Sequence, residues 1–351
     1  MKIDNKKLLM SSSPHIRTEE NTRGIMTDVI VALFFPFIMA LYFFGWRALL
    51  LTVISIAGSV IFEWGYNKIT KKENTTGDLS AVVTGFLIAL CMPVSAPLFA
   101  PVIGAFFAIV VVKNMYGGLG KNFLNPALSA CALLYSWPAL MSVWIKPNLG
   151  DKAISMFANV SRSALNPEVI AAYTPLGKMK LGFLPEAQLG GSDTISSLAD
   201  VAIGNIAGAM GEVSAVVIIA AAIYLLVRRV ITYHIPVSFV ATVAVLTFIF
   251  PLGKNIGYLW SLYSVLSGGL LFIAVFMATD YATSPITLRG KIYYGIGCGI
   301  LTVFIRYFGP YEEGAVFAVL IMNCLAGAID NLTIPSRFGK IRRKVGKKNE
   351  R

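Results

Sequence analysis

Thr84-Gly85-Phe86-Leu87-Ile88-Ala89-Leu90-Cys91-Met92 is an apolar run that stops at Pro93, with Pro97 and Pro101 close behind. Its segment, 79–92, is short for a hydrocarbon core of about 30 Å, which a straight helix crosses in about 20 residues. A similar run, Ser267-Gly268-Gly269-Leu270-Leu271-Phe272-Ile273-Ala274, continues to Met277 in the second half of the chain. Short spans, and spans interrupted by Gly or Pro, mark places where backbone lines a cavity or a site instead of lipid. Counting apolar segments along the chain, the first run falls in the third and the second in the eighth. An odd separation reverses the direction of crossing. The pair therefore predicts an all-α membrane protein of two inverted five-helix repeats; a chance match of two apolar runs is the alternative.

Ten spans are expected, at about 25–44, 48–66, 79–92, 97–113, 123–145, 212–230, 235–250, 258–279, 291–308 and 313–331. The segment 201–211, rich in Gly and Ala, is expected to be re-entrant. Of the 351 residues, 56% are hydrophobic and 14% charged. A soluble domain carries about 25% charged residues, so the composition excludes an ordinary soluble enzyme. The net charge of +12 does not point to nucleic acid, because the basic residues sit beside apolar spans: eight Lys/Arg in the tail 337–351, and Lys2, Lys6, Lys7, Arg17 and Arg23 in the N-terminal arm.

Basic residues also follow every second span: Lys68, Lys71 and Lys72; Lys113 and Lys121; Arg228 and Arg229; Arg289 and Lys291. Positive loops stay on the inside. Both termini are therefore expected in the cytoplasm, and the central segment on the opposite face. The expected division is a cytoplasmic arm (1–24), a first repeat (25–145), an extracytoplasmic loop (146–199), a second repeat (200–335) and a basic cytoplasmic tail (336–351). No cleavable signal peptide is expected, since the first apolar run begins near Ile25 behind an arm containing Glu19 and Glu20.

The central loop contains Ala171-Ala172-Tyr173-Thr174-Pro175-Leu176-Gly177-Lys178-Met179-Lys180. No His or Cys neighbours Thr174 to make it a nucleophile. As a functional residue it suits attachment better than catalysis; the plain alternative is a loop threonine before proline. Thr194, Ser161 and Ser163 lack the same Thr-Pro-Leu setting. The chain has only two histidines, His15 and His234, and no carboxylate pair at catalytic spacing. Its four cysteines, at 91, 131, 298 and 324, lie in apolar segments without metal-ligand spacing and read as small buried hydrophobes. Asp78, Asp280 and Asp330 fall at span ends, and Glu212 opens the sixth span. Each is either an interfacial carboxylate or part of an ion path, with Na⁺ or H⁺ as the ion.

Three further strings stand out: Tyr116-Gly117-Gly118-Leu119-Gly120-Lys121-Asn122-Phe123-Leu124-Asn125-Pro126-Ala127, Gly204-Asn205-Ile206-Ala207-Gly208-Ala209-Met210-Gly211-Glu212-Val213-Ser214, and Phe276-Met277-Ala278-Thr279-Asp280-Tyr281-Ala282-Thr283-Ser284-Pro285. With Thr174-Pro175-Leu176 they resemble the family that holds the D subunit of the Rnf electron-transport complex and the B subunit of the sodium-translocating NADH:quinone reductase. The resemblance covers about 22–335. The lack of long N-terminal additions favours the Rnf branch. It implies a membrane flavoprotein subunit of an ion-translocating ferredoxin:NAD⁺ oxidoreductase. It also implies FMN joined through its phosphate to Thr174 by a separate flavin transferase. Glu168 occupies the family's acidic position, whereas Ala171 replaces the usual Ser or Thr and Tyr173 the usual Ala. Further implications are a noncovalent riboflavin, for which Gly117, Gly118, Asn125 and Pro126 are candidates, and association with the Rnf G subunit and with the A, B, C and E subunits in a bacterial inner membrane. The rival readings are a non-redox channel or transporter on the same inverted-repeat fold, and a purely structural subunit.

Overall fold

The computed structural model describes residues 21–72, 75–137, 141, 144–145, 174–180, 197–212, 214–252, 257–309, 311 and 313–335. Glu168, Ala171, Tyr173, the arm before residue 21 and the basic tail lie outside the described residues. Helices α1 (Thr22–Phe44) and α2 (Trp46–Ile69) form a hairpin that turns at Gly45. They are followed by α3 (Ser80–Leu90), then α4 (Ala100–Phe106), which widens into a π-helix at Phe107–Asn114, and α5 (Pro126–Tyr135). Two short helices, α6 (Pro175–Lys180) and α7 (Leu198–Ile203), separate this half from α8 (Ala215–Val227) and α9 (His234–Ile249). The chain then runs through α10 (Gly257–Leu266), α11 (Leu270–Phe272) with a π-helical extension Ile273–Met277, α12 (Leu288–Phe308) and α13 (Ala315–Thr333). The described residues form no strand.

Apolar helices occupy all ten positions read from hydropathy. By length and composition four can cross a bilayer unaided: α1, α2, α12 and α13. A fifth unit is α10 with α11, bent by 57°. The other five, α3, α4 with its extension, α5, α8 and α9, have 10–17 residues. Their neighbours explain why short apolar helices persist. α3 is sheathed by α2, α1 and α5, and α9 by α12 and α10. Every side chain on α3 from Phe86 to Leu90 is buried, whereas α1 and α2 leave Phe34, Ile38, Tyr42, Val53 and Ile61 exposed as an apolar outer surface. An outer belt of this kind suits lipid.

Two ends can be distinguished by their polar ties. At one end Arg228 pairs with Asp28 (3.1 Å), and Asp330 accepts from the backbone N–H groups of Ile286 (3.0 Å) and Thr287 (3.2 Å). At the other, Arg47 donates to the carbonyls of Val94 (2.7 Å) and Ala96 (3.0 Å), holding the chain where it turns between α3 and α4. Lys180 of α6 donates to the Gly309 carbonyl there (2.7 Å).

One loop charge is corrected. Lys113, counted above among the basic residues after the fourth span, lies on the π-helical extension of α4 and is 2% exposed. Its ammonium meets Glu63 of α2 at 2.7 Å. A charge fifty residues away neutralises it, so it carries no weight in the loop pattern. Cys324 is also corrected: it is exposed on α13, while Cys91, Cys131 and Cys298 are buried.

Candidate functional site

At the Asp28–Arg228 end a cavity opens between the two halves of the chain. Its walls include Met26 and Val29 of α1, Leu87 of α3, Leu225 of α8 and Phe276 of the α11 extension. Its polar lining includes Lys113, Asn122, Asn125, Thr279 and Asp280. Asn125 connects the two sides. Its Oδ1 accepts from Ala127 N (3.0 Å) and Leu128 N (3.3 Å), capping α5, where Pro126 takes the first helical position that needs no N–H. Its Nδ2 donates to the Met277 carbonyl (3.1 Å). The first and third motif strings are thereby joined, and both line the cavity. Asn122 is 4% exposed; its Nδ2 donates to Leu124 O, and its Oδ1 has no partner among the described residues. Gly117 and Gly118 do not line the cavity. With φ of +110° and +93° they supply the turn that returns the chain to α5.

Asp280 stands in the turn beyond the α11 extension. Its carboxylate accepts from Thr283 Oγ1 (3.2 Å) and Ala282 N (3.4 Å). Burial pushes its pKa above the ordinary aspartate value, against the lowering effect of those hydrogen bonds. Asp280 is thus part of the cavity wall. Asp78 accepts from Ser80 N (2.9 Å) and Ser80 Oγ (2.6 Å) and fixes the start of α3. Asp330 holds the 286–287 backbone and acts as a brace. Neither Asp78 nor Asp330 lines the cavity. Glu212 lies elsewhere, beside the breaks in the short helices.

Sequence reasoning missed the Glu63–Lys113 pair. Lys113 Nζ also donates to Ser80 Oγ (2.5 Å), and Thr75 Oγ1 donates to Glu63 Oε1 (2.8 Å). The signal was present: Glu63 is the one acidic residue in the 48–66 span, and a lone carboxylate at membrane depth demands a partner.

Thr174 lies at the opposite end and is 4% exposed. Its hydroxyl accepts from Gly177 N (3.1 Å) and its carbonyl from Lys178 N (3.0 Å), so it caps α6. Met179 of α6 packs with Val201, Ile206, Trp260 and Tyr263. The side chain is tucked against the helical body. The local chemistry nonetheless suits a phosphoryl group, with an alcohol oxygen, a backbone N–H beside it and Lys178 one turn on.

Residues 9–339 match the model of the NQR2, RnfD, RnfE family. The chain belongs to that family. It is 37% identical over 335 residues to the D subunit of the Na⁺-translocating ferredoxin:NAD⁺ oxidoreductase complex of Acetobacterium woodii, covering 95% of each chain. It is 34% identical over 335 residues to the D subunit of the proton-translocating ferredoxin:NAD⁺ oxidoreductase complex of Clostridium ljungdahlii, covering 94% of this chain and 96% of that one. It is also 31% identical over 348 residues to the D subunit of the ion-translocating oxidoreductase complex of Aliivibrio salmonicida, covering 94% and 98%. Membership of the NQR2, RnfD, RnfE family accords with the apolar helices: this is a multi-pass membrane protein. The first two relatives differ in the ion that they are named for, at nearly equal identity.

Proposed function

We propose that the protein is the D subunit of an Rnf-type ion-translocating ferredoxin:NAD⁺ oxidoreductase, a membrane flavoprotein that carries electrons and is not an independent catalyst. The observation that carries this reading is end-to-end similarity to subunits of that name, at up to 37% identity over 95% of both chains. The ten apolar helices cross a bacterial inner membrane as two inverted five-helix repeats, with both termini in the cytoplasm and Thr174 on the outer face. FMN is attached through its phosphate to Thr174 by a flavin transferase. When bound, it supplies a centre that accepts and passes on electrons. Thr174 provides the attachment oxygen, Gly177 N and Lys178 offset phosphate charge, and the Met179–Trp260 contact holds the segment against the helices. Because Thr174 caps α6 and is buried, the transferase must act before this segment docks, or lift it.

The cavity near Asp280 is the place for the noncovalent flavin, riboflavin in this reading. Its apolar walls suit a ring system, and the unpartnered Asn122 Oδ1 suits a ring N–H. Asn125 and Pro126 line it, and Gly117 and Gly118 supply the turn that leads into α5. The remaining Rnf subunits, G at the outer face and A, B, C and E, are the electron partners. Na⁺ or H⁺ is the coupled ion, with Asp280 and Glu212 on its path. Co-expression with a flavin transferase tests the reading: the purified band is expected to fluoresce under ultraviolet light after denaturing electrophoresis. A non-fluorescent band from cells that flavinylate a control substrate favours the non-redox transporter or scaffold instead.

A further inference from the structure

Beside the Asp280 cavity, at the Asp28–Arg228 end, lies a second cleft of about 570 Å³, whose lining includes Asn21, Arg23, Asp28, Arg228 and Arg229. Sites of about 300–1,000 Å³ take a small molecule and not merely an ion. α1 and α8 pack side by side, so the start of one and the end of the other supply the walls. Three guanidinium groups against one carboxylate leave the lining strongly positive. Arg228 is engaged, since its Nη2 meets Asp28 Oδ2 at 3.1 Å. Arg23 and Arg229 are exposed and form no ion pair among the described residues. The first turn of α1 carries no acidic residue and Asn21 does not cap it through its side chain, so the positive end of that helix adds to the same sign.

Arg229 occupies a position that ordinarily favours glycine. Its φ is +58°, its N–H donates to the Leu226 carbonyl (3.0 Å), and Val230 N donates to the Leu225 carbonyl (3.0 Å). This is the left-handed close of a helix, which glycine makes without steric cost. A cation at a helix C-terminus answers the dipole, but Arg228 in the preceding position already does so. The second arginine therefore serves the cleft. Next to these charges the outer surface is apolar. Val227 and Ile223 of α8 are 75% and 56% exposed. Phe35 of α1 is exposed too and stands 6.2 Å from the Tyr224 ring across the α1–α8 seam. Exposed Val31 comes one turn before Phe35, about 12 Å along the helix axis from Arg23. Arginines at the rim of an apolar belt stand level with lipid phosphates. Ile25, Val230 and Tyr281 line both this cleft and the Asp280 cavity, and the Tyr281 hydroxyl donates to the Val230 carbonyl. Only that partition separates the two spaces.

We propose that this cleft binds the phosphate of an anionic phospholipid headgroup, with Arg23 and Arg229 as its main partners and the acyl chains lying along the apolar seam between α1 and α8. Arg228 stays with Asp28 and braces the two walls. The headgroup ties the start of α1 to the turn after α8 and rests against the Ile25–Val230–Tyr281 partition, on the far side from Asp280. Free phosphate would satisfy the guanidinium groups alone; a lipid satisfies both the charges and the seam. The inference depends neither on the flavin nor on which leaflet this end of the protein faces.

The test uses the full-length protein in a non-ionic detergent, titrated with phosphatidylglycerol, phosphatidylcholine or inorganic phosphate, with bound species weighed by native mass spectrometry. The parent is expected to retain phosphatidylglycerol at concentrations where phosphatidylcholine is lost, and inorganic phosphate is not expected to displace it. Arg229→Gly removes a charge and suits the left-handed backbone, and Arg23→Gln removes a charge from an exposed first turn, so the double variant should insert and fold. Its affinity for phosphatidylglycerol is expected to fall about thirtyfold, the change that about 2 kcal/mol gives. Each single variant should lose about fivefold, so either one decides the matter if the pair does not fold. Arg229→Lys keeps the charge and should retain most of the affinity. Unchanged phosphatidylglycerol affinity in the folded variants overturns the proposal. Equal binding of the two lipids also overturns it and leaves the cleft to a protein partner. Displacement by inorganic phosphate overturns the lipid in favour of a free-phosphate site.

Discussion

Asn125 performs two separable tasks, and substitution can divide them. Its Oδ1 caps α5 and its Nδ2 reaches the Met277 carbonyl across the interface between the two halves. A lost N-cap costs about 1 kcal/mol. An interhelical hydrogen bond inside a membrane protein is worth about 0.6 kcal/mol on average and up to about 1.7. Asn125→Ala removes both, for an expected loss of about 2 kcal/mol. Asn125→Ser keeps a capping oxygen but is too short to reach Met277, so its expected loss is only the bridge, about 0.6–1.7 kcal/mol. Asn125→Asp keeps the cap and turns a donor into an acceptor facing a carbonyl, so it should fall below Ser. Reversible unfolding in mixed micelles, titrated with denaturing detergent, gives the three free energies. Equal losses for Ser and Ala would show that the cap contributes nothing. Losses near zero for both would refute the two-sided role altogether.

The other expectations are shorter. Glu63→Gln or Lys113→Met alone should destabilise by about 3–5 kcal/mol, because each leaves a buried charge without its partner, while the double variant recovers most of the loss; unfolding of the three proteins in detergent decides it. Asp280→Asn should lower ion-coupled electron transport in proteoliposomes with flavin content unchanged; full coupled activity would return Asp280 to a purely interfacial role. A reporter fused after Arg351 should be active only when it senses the cytoplasm; activity confined to the outer compartment would overturn the assignment of both termini.

Hydropathy made the helices legible, because apolar length and Pro or Gly interruptions are local properties. The break at Gly268-Gly269 and the early end of α3 could be read in this way. What the interrupted ends touch could not. Leu90 and Gly211 meet only through packing between segments far apart in the chain. Lys113 shows the same limit: beside a basic loop it reads as a loop charge, and only the position of Glu63 reveals a buried pair. Arg306 gave a signal that went unused, since it is a lone cation in the late part of the 291–308 span, where a charge requires a partner. Thr174 stands out in the sequence through its Thr-Pro-Leu setting. Its capping of α6 was not, because the burial that accompanies it depends on Met179 docking against Trp260 and Tyr263.

The central claim is that Thr174 carries the flavin, and peptide mass spectrometry tests it most directly. The protein is co-expressed with a flavin transferase, digested, and the peptide containing Thr174 is weighed. The account predicts the mass of that peptide plus FMN less one water, retained at least in part by Thr174→Ser and absent from Thr174→Ala. The Ala variant should still insert and fold, since the lost cap costs about 1 kcal/mol. An unmodified Thr174 peptide beside a flavin-bearing peptide from elsewhere in the chain, or a Thr174→Ala protein that still fluoresces on a denaturing gel, would contradict it.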